Sequence, residues 1–208
     1  MEKYATLTLN LTNEQVILAL PKVKPGLSKY LGIQSHFDAI KDTSLIENAE
    51  FQKRFNGFYR VSRMSPQWYK GFYGVFDSSR NSTPTFLELL TALHSVTNRC
   101  EAPFASKLLA TLDPTMPVID SVVLGILKAK VPGPLTLNRL QEVSFLHQEM
   151  SRCYEEFLKS ENGRDLVNLF EATYPVESQR LSEVKMLDFI LWQTREERTK
   201  KPKKNTIN

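Results

Sequence analysis

Phe104–Leu127 reads FASKLLATLDPTMPVIDSVVLGIL. Two apolar stretches of helical spacing flank a loop marked by Asp113-Pro114 and Pro117. Pro103 suits the start of the first helix, so Lys107 falls in its first or second turn. A cation is disfavoured there, because a helix N-terminus is itself partly positive. Asp120 stands before SVVLGILKAK as an N-cap. Each residue has a plain structural reading, a solvated lysine on an amphipathic helix and a helix cap. Their pairing, with a lysine whose amine a positive field and partial burial would neutralise, also suits nucleophilic chemistry beside a carboxylate.

The same punctuation recurs outward from this segment and predicts an all-α chain. YATLTLNL, residues 4–11, alternates and predicts a short N-terminal strand or extended arm. Thr12 or Asn13 caps NEQVILAL, which Pro21 should stop, leaving KVKPG as a turn or linker. Ser28 to Asp42 reads as helical, and Glu47 to Arg63 as a helix with a possible break at Gly57. Ser65-Pro66 and Thr83-Pro84 each announce a helix. After VPGP, helices are expected over Thr136 to Ser160, Gly163 to Tyr174 and Ser178 to Arg195.

With 208 residues the chain fits a single domain, expected over 1–194 and followed by a basic tail, 195–208, expected to be disordered. The tail REERTKKPKKNTIN holds six basic and two acidic residues, which equals the whole net charge of +4. The body is neutral but uneven. Residues 51–110 carry eight cations (Lys53, Arg54, Arg60, Arg63, Lys70, Arg80, Arg99, Lys107) against three acids, while residues 140–194 carry five against ten. Such a polarised body can accept a polyanion on one side.

Two cysteines, Cys100 and Cys153, cannot supply four thiolates for an iron–sulfur cluster, and the three histidines show no ligand spacing, so no metal or other cofactor is expected. Apolar runs fall short of the ~20 residues of a membrane span, and MEKYATLTLN lacks a signal-peptide apolar core. A cytoplasmic protein with no membrane partner is the expectation.

ASKLL at 105–109 and PVIDSVV at 117–123, together with FYRVSR at 58–63 and LDFILW at 187–192, resemble the helix-hairpin-helix DNA glycosylases. The likeness is more particularly to a bacterial 8-oxoguanine DNA glycosylase-like group and spans about residues 51 to 192. In that superfamily Gly-x-Lys-x-Ala on the second hairpin helix carries the lysine of bifunctional members. A Pro-Val-Asp-x-His-Val segment carries the aspartate. The resemblance implies a helix-hairpin-helix fold, DNA as partner, and base excision with possible abasic-site lyase activity, with Lys107 and Asp120 catalytic. It implies Arg99, Ser106 and Ser121 as nucleic-acid contacts.

A base pocket would draw on Tyr59, Trp68, Phe104 and Asp188, since aromatics can sandwich a flipped base. Most aromatics at helical spacing in residues 55–76 are expected in the core instead. The loop NRCEAPFAS has none of the hairpin glycines that admit a phosphate, and the lysine–aspartate spacing is several residues shorter than usual. Those departures leave open a catalytically inactive nucleic-acid-binding or protein-interaction module on the same fold.

Overall fold

The computed structural model describes residues 6–194. Among them the order is α1 (Asn13–Ala39), α2 (Ala49–Tyr59), α3 (Pro66–Ser79), α4 (Phe86–Thr97), α5 (Ala102–Leu112), α6 (Ser121–Ile126), α7 (Arg139–Lys159), α8 (Glu161–Thr173) and α9 (Glu183–Gln193). A 3-10 turn, Ser178–Arg180, precedes α9. The described residues contain nine α-helices and no strand, so the chain is all-α. Residues 6–12 of the expected N-terminal strand are unpaired coil with Leu9 and Leu11 buried; the first five residues and the basic tail lie outside the described residues.

Local chemistry sets most helix starts. Ser65 accepts the Trp68 N–H and Pro66 is the first residue of α3. Thr85 and Glu88 form a reciprocal capping box at α4, two residues later than the Thr83-Pro84 signal suggested. Ser160 caps α8, and Gly163 permits the sharp α7–α8 corner, because a Cβ there would run into the Phe157 carbonyl.

The expected stop at Pro21 does not occur. α1 runs through Pro21 and Pro25, and KVKPG is helical. Both prolines are exposed and lie one turn apart, so the lost donors face one side. The other side buries Val16, Ala19, Leu20, Val23, Leu27, Tyr30 and Ile33. The Tyr174 hydroxyl donates to the Leu20 carbonyl at 2.6 Å within the disturbed stretch. Packing and this bond offset a local preference of about 3 kcal/mol per interior proline. α2 likewise passes Gly57 unbroken.

α1 packs on α2, α8 and α9, α3 on α4, and α4 on α5 and α7. Phe51, Phe55, Phe72, Tyr73 and Phe76 meet edge-on or tilted in the core between α2 and α3. The rings expected to be structural are therefore largely so.

His147 is buried on α7, stacked on Phe86 with ring centroids 4.1 Å apart and its Nε2 3.0 Å from the Pro117 carbonyl. Burial pushes its pKa down to about 4, against the pull of that carbonyl. The folded pKa lies below the unfolded value of about 6.5, so the unfolded chain binds the extra proton. Its contribution to stability is complete above about pH 6.5 and is lost as pH falls toward 4, by an amount on the order of 3 kcal/mol. Urea midpoints at pH 7 and 4.5 should show a steeper acid loss in the wild type than in His147→Gln. Parallel losses would contradict a neutral buried imidazole.

Candidate active site

Lys107 and Asp120 line one cleft. Its walls come from α1 (Lys22, Lys29), the end of α2 (Phe58, Arg60), α5, the start of α6 and the end of α9 (Trp192), and its volume is about 490 Å³. Both residues are half-buried.

Lys107 is the sixth residue of α5, in its second turn, and Pro103 is the second. The helix-terminal field is weaker there than in the first turn. Lys107 Nζ donates to the Tyr59 carbonyl at 3.0 Å, at the C-terminus of α2, and stands 5.2 Å from the centre of the Phe104 ring. Burial is the main force that lowers the Lys107 pKa; Asp120 pulls it up and Arg60 pushes it down. A lysine so placed has a larger neutral fraction at neutral pH than a solvated one, which is the state a nucleophile needs.

Asp120 caps α6 through Oδ1, which accepts the Val122 N–H at 2.7 Å. Its second carboxylate oxygen is not used in the cap. No ion pair joins Asp120 to Lys107 among the described residues, so their coupling acts across the cleft.

The loop that carries Asp120 is fixed from three helices. Ser106 Oγ on α5 accepts the Ile119 N–H at 2.9 Å and donates to the Pro103 carbonyl at 3.0 Å. His147 on α7 meets the Pro117 carbonyl at 3.0 Å. Asp188 on α9 accepts the Val118 N–H. Lys107 and Ser106 are neighbours on α5, so the Ser106 bond ties the lysine's helix to the aspartate's loop.

Beneath the cleft lies a polar network. Lys185 Nζ donates to Asp188 Oδ2 at 2.9 Å, and the Tyr154 hydroxyl donates to Oδ1 at 3.0 Å. Lys185 and Asp188 are both 0% exposed. Burial alone would depress Lys185, but the charge of Asp188 and the flanking Tyr59 and Tyr30 outweigh it and hold the amine above its usual range. Burial raises the Asp188 carboxyl against the pull of Lys185 and its hydrogen bonds. The upward shift keeps Lys185 an ammonium at neutral pH. The Tyr30 and Trp192 rings lie 5.3 and 5.7 Å from the Lys185 amine. Trp192 reaches the cleft wall, and its indole N–H is buried without an acceptor among the described residues.

The other expected site residues divide. Tyr59 borders the cleft, but its side chain is buried and its hydroxyl meets Thr111 at 3.5 Å. Phe104 is half-buried between Trp68 and Lys107. Trp68 is not in this cleft: it is buried, stacks on Phe72 and donates its indole N–H to Glu101 at 2.9 Å. Asp188 is fully buried and bonded, so it is no open pocket acceptor. Ser106 is fully buried and is an internal tie instead of a nucleic-acid contact. Arg99 and Ser121 are exposed, Arg99 on a neighbouring concavity.

The sequence reading left Asp188 either exposed or paired and did not name Lys185 as its partner, although a lysine three residues before an aspartate within an apolar helix was the signal. It also missed Lys22, Lys29 and Trp192, which only tertiary packing brings to Lys107.

A roomier concavity, about 920 Å³, lies between α4, α5 and α7, with Phe86, Leu112, Met116 and Arg152 in its walls. Its cation is already held by Glu149 at 3.0 Å and Glu156 at 2.5 Å, and no lysine lines it among the described residues. The smaller Lys107 cleft is the better chemical candidate. Burial pushes the Cys153 thiol up to about 11, which makes it a poor nucleophile. Among the described residues no three His, Cys, Asp or Glu side chains gather as metal ligands, and no helix is long and apolar enough to cross a membrane. Comparison with protein-family models, with curated proteins and with solved structures returned no match.

Proposed function

We propose that the chain is a DNA base-excision glycosylase with abasic-site lyase activity on a helix-hairpin-helix scaffold, working through Lys107 and Asp120. The observation that carries this reading is the meeting of a half-buried, pKa-lowered lysine and a carboxylate in one cleft rimmed by Lys22, Lys29 and Arg60. The order α4, short turn, α5, with the two helices in contact and the lysine on the second, fits a hairpin. Rim cations suit phosphates, and the cleft offers Phe58 and Trp192 as apolar walls for a displaced base or sugar.

The chemistry follows from the two groups. As the C1′–N bond breaks, its electron pair leaves with the base, which takes up a proton. Asp120 stabilises the positive charge that builds on the sugar. The neutral Lys107 amine bonds to C1′ and gives up one proton. Opening of the C1′–O4′ bond, with a proton going to O4′, leaves an iminium between Lys107 and the sugar. Loss of a C2′ proton then expels the 3′ phosphate.

Borohydride reduction tests this reading, because it fixes the iminium as a stable amine. A covalent adduct is expected with abasic duplex DNA and with at least one duplex in a panel of modified bases. Lys107→Ala should lose it while remaining folded, since the residue is only half-buried. If wild-type protein gives no adduct with any substrate, Lys107 serves as the partner of the Tyr59 carbonyl and the chain as a binding module.

A further inference from the structure

We propose that the cleft is one end of a track for a nucleic-acid backbone, running from Lys22 and Lys29 past Arg60, Arg63 and Arg99 to Arg139, with Leu135 and Leu137 packing on an unstacked base at the far end. This rests on the nucleic-acid reading above but not on its chemistry.

Three concavities carry these cations. The cleft holds Lys22, Lys29 and Arg60. The next holds Arg63, Gln67 and Arg99. The third holds Arg99, Asn98 and Arg139. Arg99 belongs to the second and third, and Arg60 of the first and Arg63 of the second share the short turn that follows α2, an arrangement that suits one path. Asp120 is the sole carboxylate in these linings among the described residues. Glu101 pairs with Arg99 at 3.5 Å, but the glutamate is buried while the arginine side chain is 67% exposed. Arg60 and Arg63 are exposed as well. A line of cations along successive hollows matches a charged polymer with regularly spaced phosphates better than a flat lipid surface.

The backbone agrees. The non-glycine residues with positive φ among those described are Arg60, Arg63, Asn98, Lys128 and Asn138. Four of them line the three concavities, and Lys128 begins the loop that ends at Asn138. Arg60 and Asn98 are the left-handed C-caps of α2 and α4, and Asn138 precedes α7, so helix ends shape these hollows. That loop, KAKVPGPLTLN, has two exposed lysines and no acid. Leu135 is 99% and Leu137 84% exposed. Apolar side chains flanked by cations fit a site where phosphates and an exposed base face are met together.

The test is fluorescence anisotropy with full-length protein across a salt series. The probes are an intact duplex and the same duplex carrying a stable tetrahydrofuran abasic analogue. Each phosphate contact contributes about 0.9 to the slope of log K against log salt on a duplex. Arg63→Ala/Arg99→Ala/Arg139→Ala should reduce the slope by about 2–3 and weaken binding at least ~10-fold at moderate salt. Leu135→Ser/Leu137→Ser should keep the slope and lose most of the preference for the abasic duplex. Wild-type slope and affinity in the triple variant would overturn the track, whatever borohydride trapping shows. Binding of anionic phosphatidylserine vesicles, lost in the leucine variant while DNA binding is unchanged, would overturn it in favour of a membrane. A failed trapping experiment with the slope change intact would remove the chemistry and leave the track standing.

Discussion

Asp188→Ala is expected to destabilise the protein by about 3–5 kcal/mol, because it leaves the Lys185 ammonium buried without its counter-ion. Both side chains are fully buried, and the carboxylate also accepts the Tyr154 hydroxyl and the Val118 N–H. A domain has only about 5–15 kcal/mol to lose, so the change should be evident in urea midpoints. Replacing the pair together, Lys185→Met with Asp188→Leu, should cost far less, since no charge is then stranded. A single substitution that shifts stability by less than about 1 kcal/mol would mean that water or a neighbouring group takes over the ammonium. The pair sits directly under the segment that carries Asp120, so its loss should also loosen the cleft.

Asp120→Asn should separate base release from imine formation. Asparagine keeps a competent cap, so α6 should survive. The anion that stabilises the sugar cation is gone, and release of a modified base should fall about 10²–10³-fold, the scale set by loss of one preorganised electrostatic group. Asp120 also raises the Lys107 pKa, against the dominant lowering by burial. Without it the amine loses its proton at lower pH, so trapping of a preformed abasic site should shift its pH profile downward. Single-turnover glycosylase rates and pH-dependent trapping check the two halves. Wild-type rates in both assays, with an unchanged profile, would show that Asp120 acts only as a cap.

Much of the fold was legible in the residues and their spacing. Ser65-Pro66 and Asp120 mark helix starts with local hydrogen bonds, and local bonds can be read locally. Thr85 and Glu88 show the same thing at the true start of α4, where the proline two residues earlier was the weaker signal. Pro21 misleads because the opposite, buried face of α1 is held by distant residues such as Tyr174, 154 positions from the Leu20 carbonyl it bonds. The site divides along the same line. Lys107 and Asp120 were legible as a pair through the resemblance of ASKLL and PVIDSVV to glycosylase motifs. What surrounds them was not. Ser106 and Asp188 are polar residues whose surface or interior placement depends on tertiary packing, and both turned out to be internal ties. The lowering of the Lys107 pKa comes mainly from burial, which sequence position alone does not show.

The central claim is that the Lys107 amine bonds to the sugar. Its most direct test is peptide mapping by mass spectrometry of the borohydride-reduced adduct formed with abasic duplex DNA. The account predicts that the sugar remnant is found on Lys107, with tryptic cleavage blocked there so that residues 100–128 appear as one modified peptide. An adduct on any other lysine, or on the tail beyond residue 194, would contradict it.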